Sequence, residues 1–129
     1  MTERKIILSS QAPAPIGPYS QAVEVAGFVF CSGQIPLDPA TGKLVEGPVE
    51  VQANRVMDNL EAVLRAAGTG LENTVKITVF VIDLSDFEAL NKVMSARLPN
   101  PPPARAVVQV SALPKSARLE MDLIALKKG

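Results

Sequence analysis

The positions of apolar and polar residues along the chain predict two helices. Over residues 49–67, apolar side chains recur three and four positions apart, which places them on one face of a helix. Pro48 suits the first turn of this helix, and Gly68 suits the position just past its end. Residues 85–88, Ser-Asp-Phe-Glu, have the spacing of a capping box and predict a second helix that runs to about Leu98.

Six segments predict strands, and the one at residues 74–82 is dense in β-branched residues. They span residues 5–8, 19–25, 28–32, 74–82, 104–110 and 119–126. The pair Ala26-Gly27 predicts a tight hairpin between the second and third of them. The order βββ-α-β-α-ββ indicates an α+β or mixed α/β fold with one sheet and two helices, in a single domain over residues 1–129.

Such a sheet has more apolar surface than its helices can cover. Two helices cover only one face, yet residues 79–82 and 123–126 are continuous apolar runs, which place apolar side chains on both faces. An uncovered apolar face favours association with another chain, and we therefore expect an oligomer.

The composition excludes several kinds of active site and partner. The chain has no histidine and only one cysteine, Cys31, so histidine-based triads, intrachain disulfides and histidine-ligated metals are excluded. Basic and acidic residues number 13 each, which leaves no overall field to attract nucleic acid. No apolar run approaches the roughly 20 residues of a membrane helix. The first residues resemble neither a secretory signal nor a clear transit peptide, so we expect a cytoplasmic location, with a mitochondrial one left open.

Two charged residues are candidates for chemistry. Arg105 stands at the start of a strand, directly after three prolines and an alanine; it is either a surface arginine or a planar clamp for a carboxylate. Glu120 alternates with Arg118 and Asp122 along the last strand, which is the pattern of an ordinary solvated face. The alternative for Glu120 is a carboxylate that holds and activates water.

Three further positions have a structural and a functional interpretation. Ser32-Gly33 is either a plain loop at the end of a strand or a point where a ligand approaches the backbone. Tyr19 is either a core residue or a pocket wall with a hydroxyl group. Cys31 lies inside an apolar strand, and we expect a buried, inert thiol.

Eight short segments, in their order and spacing, are typical of one family. They are Ala14-Pro15-Ile16-Gly17-Pro18-Tyr19, Ser32-Gly33-Gln34-Ile35-Pro36, Asp58-Asn59-Leu60, Val75-Lys76-Ile77-Thr78-Val79-Phe80, Asp86-Phe87 with Asn91, Pro103-Ala104-Arg105, Leu113-Pro114-Lys115 and Glu120-Met121. Together they make the chain resemble the RidA family (reactive intermediate deaminase, also called YjgF or L-PSP) over essentially its whole length.

The resemblance implies a fold, an assembly and an activity. The fold is chorismate-mutase-like, with one mixed sheet, two helices on one face, and three ligand clefts between the subunits of a homotrimer. The activity is hydrolysis of 2-iminobutanoate and 2-iminopropanoate without cofactor or metal. The resemblance assigns Arg105 to the substrate carboxylate and Glu120 to the attacking water. It assigns the cleft lining to Tyr19, Ser32 and Gly33, with Asn91 as a further substrate-binding candidate.

The chain departs from the family pattern at two places. Ala106 and Val107 follow the arginine, where many relatives have Ser-Cys. The segment 92–103 is short and lacks aromatic residues, which predicts a broader preference among imine side chains. The alternative functions are an L-PSP-type endoribonuclease or translation inhibitor, and a non-enzymatic ligand-binding or chaperone-like trimer.

Overall fold

Six strands form one mixed sheet in this chain. The computed structural model describes residues 3–127. The strands are β1 (Lys5–Ile7), β2 (Ala22–Val25), β3 (Phe28–Gln34), β4 (Thr74–Val81), β5 (Ala104–Gln109) and β6 (Leu119–Leu126). The helices are α1 (Val49–Ala66) and α2 (Phe87–Arg97), and short 3-10 turns lie at Leu71–Asn73, Leu84–Asp86 and Pro114–Ser116.

The order of strands across the sheet is β1-β2-β3-β6-β4-β5. All neighbours are antiparallel except β4 and β5, which are joined through α2 and run parallel. A parallel pair needs such a crossover, because its two strands must start at the same edge of the sheet. The α+β class and the single mixed sheet predicted from the sequence are confirmed.

The apolar core lies between one face of the sheet and the two helices. From α1 it takes Val56, Met57, Leu60, Val63 and Leu64, all without solvent exposure, at the spacing that predicted the helix. From the sheet it takes alternate residues of the strands, including Val29, Ile77, Val79, Leu119, Met121 and Leu123.

The opposite face of the sheet carries exposed apolar side chains, as the sequence predicted. Phe30 of β3 lies opposite Ile124 of β6, and Phe28 lies opposite Leu126. Phe28, Phe30, Leu126, Val108 and Ile6 are between 37% and 53% exposed. We call this surface, on the side away from the helices, the open face. No helix within residues 3–127 is long and apolar enough to cross a membrane.

Three element boundaries differ from the predicted ones. β2 begins at Ala22 and not at Tyr19, because the amide of Tyr19 donates to Gly17 O in a turn. β3 continues through Ser32 to Gln34, across a register shift against β6, so Gly33 lies within a strand and not in a loop after it. The predicted capping box is also wrong. α2 begins at Phe87 after a 3-10 turn, and the side chain of Asp83 accepts from the Ser85 amide.

The predicted hairpin is confirmed. Val25 and Phe28 face each other, and both residues between them have positive φ, 53° at Ala26 and 84° at Gly27. This is the two-residue turn whose twist matches that of the flanking strands. The other predicted boundaries agree within one residue.

Candidate functional site

The candidate residues lie in two separate pockets of the chain. Tyr19, Ser32, Gly33 and Glu120 line a cavity of about 300 Å³, which we call the Glu120 pocket. Asn91 and Arg105 line a second cavity of about 590 Å³, the Arg105 pocket. No residue is shared between the two linings.

Glu120 projects from the open face of the sheet. It lies opposite Phe80 of β4, while its neighbours Leu119 and Met121 point into the core. Its side chain is half-buried, and no salt bridge joins it to another of residues 3–127. The predicted solvated face is therefore only partly solvated at Glu120, because the walls of the pocket remove some of its water.

Glycine at position 33 is what allows Glu120 to lie against β3. The register between β3 and β6 shifts between Cys31 and Gln34, which is the signature of a bulge. A Cβ atom on Gly33 would lie 2.4 Å from Oε2 of Glu120 and 2.8 Å from its Cδ. Any other residue would displace the carboxylate, so the close approach requires glycine.

The surroundings of Glu120 favour its neutral form. Burial raises the pKa of Glu120 above the ordinary value, and the negative charge of Asp122 raises it further. Burial also raises the pKa of Asp122, an effect that Lys76 partly opposes. A carboxylate whose pKa is raised accepts a proton more readily when ionised, as a general base requires.

Two hydroxyl groups border the Glu120 pocket. Tyr19 is 47% exposed and lines the pocket, so the interpretation as a core tyrosine is wrong. Its hydroxyl oxygen accepts a hydrogen bond from the Ile16 amide at 3.4 Å, which leaves its proton free to donate. The hydroxyl of Ser32 donates to Ser20 O at 2.6 Å, so its oxygen is the atom available to a ligand.

Two buried amides, missed by the sequence analysis, hold the loops around this pocket. The side chain of Gln21, 1% exposed, accepts from the Ser9 amide and donates to the carbonyls of Ser9 and Pro13. Asn59 of α1 is fully buried and donates to Leu37 O at 2.9 Å. Asn59 lies at a core position of the α1 pattern. A polar residue at such a position was the sequence signal that could have identified it as a buried hydrogen-bonding group.

Arg105 lies on the other side of the sheet, at its edge. In the parallel pair, it is opposite Ile77, which belongs to the core on the helix side. Its Nη1 donates to Oδ1 of Asn91 at 2.5 Å. Its guanidinium carbon lies 5.3 Å from the centre of the Phe87 ring. The remaining N–H groups of the guanidinium are available to a ligand, because Asn91 takes only one of its five donors.

Arg105 and Glu120 therefore face opposite sides of the sheet within one chain. Ile77 and Phe80 of β4, the residues opposite them, differ by three positions and so point to different faces. A ligand that contacts both side chains cannot be held by one chain with this geometry.

The comparisons with known proteins identify the family of this chain. The family model described as Endoribonuclease L-PSP matches residues 9–127. The chain belongs to this L-PSP family. The resemblance to RidA proteins is thereby confirmed, and the matched segment contains all six candidate residues.

Named members of the L-PSP family are similar over almost the whole chain. The mouse 2-iminobutanoate/2-iminopropanoate deaminase is 44% identical, over 96% of this chain and 92% of its own length. RidA from the Antarctic bacterium Psychrobacter sp. PAMC 21119 is 47% identical, with a TM-score of 0.91 over 95% of this chain and 98% of its own. E. coli TdcF, solved with bound serine, is 40% identical, with a TM-score of 0.89 over 96% and 99%. Several relatives of similar identity carry only the name of the RutC family.

Cys31 and the acidic residues do not form a further site. Cys31 is buried, and this burial, with a smaller effect of Asp122, raises its pKa to about 12. The thiol is therefore protonated at neutral pH, and the predicted burial of Cys31 is confirmed. Within residues 3–127, no three Cys, Asp or Glu side chains come together in a way that could hold a metal ion.

Proposed function

We propose that this chain hydrolyses 2-imino acids such as 2-iminobutanoate and 2-iminopropanoate to 2-keto acids and ammonia. The observation that carries the proposal is Glu120, a half-buried carboxylate of raised pKa that faces a cavity and makes no salt bridge to another of residues 3–127. The name of the mouse relative supports the same reaction.

The reaction suits these residues, because the carbon of a protonated imine is already electrophilic. Glu120 accepts a proton from water as the water oxygen bonds to that carbon, giving a carbinolamine. The proton then passes from Glu120 to the nitrogen. The C–N bond breaks as the C=O bond forms, Glu120 accepts the proton of the hydroxyl group, and ammonia leaves and takes up this proton as ammonium. This sequence needs neither an electron sink nor a covalent nucleophile, and we assign no cofactor. Its catalysis comes from proton transfer and from orientation.

Arg105 supplies the orientation in this proposal. A guanidinium offers two parallel N–H groups to a carboxylate, and this fork fixes the direction of the bound acid as well as its charge. Asn91 holds one side of the guanidinium, and Tyr19, Ser32 and Gly33 line the cavity in which the imine group lies.

We further infer that the working site forms between subunits of a homotrimer. Arg105 and Glu120 face opposite sides of the sheet, so one substrate meets both only when they come from different chains. The exposed apolar residues of the open face, such as Phe28 and Phe30, favour this association. We expect it in the cytoplasm, where small imino acids arise from cofactor-dependent dehydratases.

The decisive experiment couples the protein to such a dehydratase. Threonine or serine dehydratase generates the imino acid, and the rate of keto-acid release is followed with and without the protein. Acceleration that disappears in Glu120→Ala supports the deaminase. Unchanged release, with dehydratase in excess and in limiting amounts, contradicts it and leaves a non-enzymatic ligand-binding trimer.

Subunit complementation tests the shared site. Arg105→Ala and Glu120→Ala chains are each expected to be inactive alone. After they are unfolded and refolded together, about one quarter of the clefts would combine a native arginine with a native glutamate and regain activity. No recovery in mixed trimers of confirmed composition contradicts a site between subunits.

Cleavage of RNA is a second candidate because of the description of the family model. The chain has only five aromatic residues, which limits stacking on bases. Its basic and acidic residues are equal in number, which limits its attraction to phosphates. Incubation of the purified protein with a labelled single-stranded RNA distinguishes the nuclease from the deaminase. Cleavage lost in Glu120→Ala would favour the nuclease.

A further inference from the structure

The guanidinium of Arg105 is held by two side chains of α2. Phe87 and Asn91 are four positions apart on this helix, so they lie on the same face, one turn apart. Asn91 accepts a hydrogen bond from Nη1, and the Phe87 ring lies 5.3 Å from the guanidinium carbon. The first contact fixes one edge of the group, and the second places the guanidinium carbon over the Phe87 ring.

The turn that leads into α2 is itself tied to the sheet at two points just before Phe87. Asp86, 6% exposed, accepts two hydrogen bonds from Arg118, at 2.8 and 2.7 Å, next to β6. The Leu84 amide donates to Oε1 of Gln109, at the end of β5, at 3.0 Å. Because Phe87 directly follows Asp86, these bonds determine where its ring stands relative to β5, the strand that carries Arg105.

Phe87 contributes little to the core. Its side chain is 37% exposed, whereas Leu90 and Met94 of the same helix are nearly fully buried. A ring with this exposure gains less from burial than a core residue does. Its contact with the guanidinium is the feature that requires an aromatic residue, because a cation is attracted to the face of a π-system.

We propose that Phe87 is a positioning residue for Arg105, which sets the preference of the site for carboxylate ligands. The proposal rests on the proposed function in one respect, the role of Arg105 in holding the carboxylate. The ring limits the swing of a long side chain on an exposed edge strand, so that the free N–H groups point into the Arg105 pocket before the ligand arrives. Less freedom is then lost on binding.

The test compares a charged and a neutral ligand. The affinities of 2-ketobutyrate and of its amide are measured by NMR titration for the wild type, Phe87→Leu, Phe87→Tyr and Arg105→Ala. We expect Phe87→Leu to weaken 2-ketobutyrate about two- to five-fold, the effect of one cation–π contact, and to leave the amide unchanged. Phe87→Tyr keeps the aromatic ring, so the ratio of the affinity for 2-ketobutyrate to the affinity for its amide should equal that of the wild type. Arg105→Ala gives the value of this ratio in the absence of any preference for the carboxylate.

A matched control is Leu84→Ala. It removes an apolar side chain of similar exposure from the adjacent turn and keeps the hydrogen bond that the backbone N–H of residue 84 donates to Gln109. Its ratio is expected to equal that of the wild type. Equal weakening of both ligands by Phe87→Leu, or no weakening, overturns the proposal, as does a wild type that binds both ligands equally. The dehydratase-coupled assay of the wild type decides the proposed function separately, because these titrations need no turnover.

Discussion

The Glu120 pocket and the Arg105 pocket hold their charged residues in different ways. Glu120 is on β6, which has strands on both sides, and its short side chain is set by the backbone and by Gly33. Arg105 is on β5, at the edge of the sheet, and its long side chain is oriented by Phe87 and Asn91 of the neighbouring helix.

The difference matches what each group would do. A general base must stand at a defined point with an adjusted pKa, and a central strand with partial burial supplies both. A residue that clamps a carboxylate must stay charged and accessible, and a position on an exposed edge strand meets both requirements. The two pockets share no lining residue within one chain, so the proposed function needs a second chain to bring them together.

The largest expected effect comes from removing the charge in the Arg105 pocket. Arg105→Ala is expected to lower kcat/KM for imino acids about 10²- to 10³-fold, because the carboxylate loses a bidentate partner. Arg105→Lys restores charge without the planar fork and should recover little of the loss. Steady-state kinetics with dehydratase-generated imine measure both. Full activity in Arg105→Ala would remove this pocket from the site.

A smaller effect is expected from moving Glu120 without changing it. Gly33→Ala places a methyl group against the carboxylate and should lower kcat about 10- to 100-fold, since a displacement near 1 Å can cost that much. Stability should change little, because a flexible side chain gives way. Gly17→Ala is the control: its new methyl would lie 3.6 Å from the Tyr19 ring, an ordinary contact. Equal kcat for the two variants would contradict the positioning of Glu120 by Gly33.

The support beneath the Arg105 pocket can be tested by stability. Arg118→Gln leaves Asp86 buried with its charge unpaired and should lower the free energy of unfolding by about 2 kcal/mol. Arg65 is the matched surface arginine, with a side chain 58% exposed beside Glu61 and Glu72; Arg65→Gln should cost about 0.5 kcal/mol or less. Urea denaturation of both variants gives the comparison. Similar losses would show that the Asp86–Arg118 pair acts as a surface pair.

The smallest effect concerns the stability cost of Glu120. Because its pKa is raised in the folded protein, its contribution to stability is full below its unfolded pKa and is lost as pH rises through the folded pKa. Above its folded pKa the ionised Glu120 therefore destabilises the fold, and there Glu120→Gln should raise the unfolding free energy by less than about 0.5 kcal/mol, because solvent screens a half-exposed charge, while lowering kcat. The gain should shrink as the pH of the urea titrations falls through the folded pKa. A gain that is independent of pH would show a different origin.

The sequence by itself determined most of the secondary structure. The apolar spacing of α1 and the pair Ala26-Gly27 are local signals, and both elements form where predicted. The resemblance to the RidA family supplied the candidate residues, which periodicity alone left as surface or loop positions. Gln21 and Phe87 were missed as contributors, because their roles depend on neighbours far along the chain.

Only the tertiary structure decided which side of the sheet each candidate faces. In β6, Leu119, Met121 and Leu123 alternate with polar residues, so the sequence already places Glu120 away from the core. In β5, Ala106, Val107 and Val108 are all apolar, and no alternation assigns a face to Arg105. Its face is fixed by pairing with β4, and a shift of one residue would turn it to the other side. Pairing between distant strands is a property of the packed sheet, and no local pattern contains it.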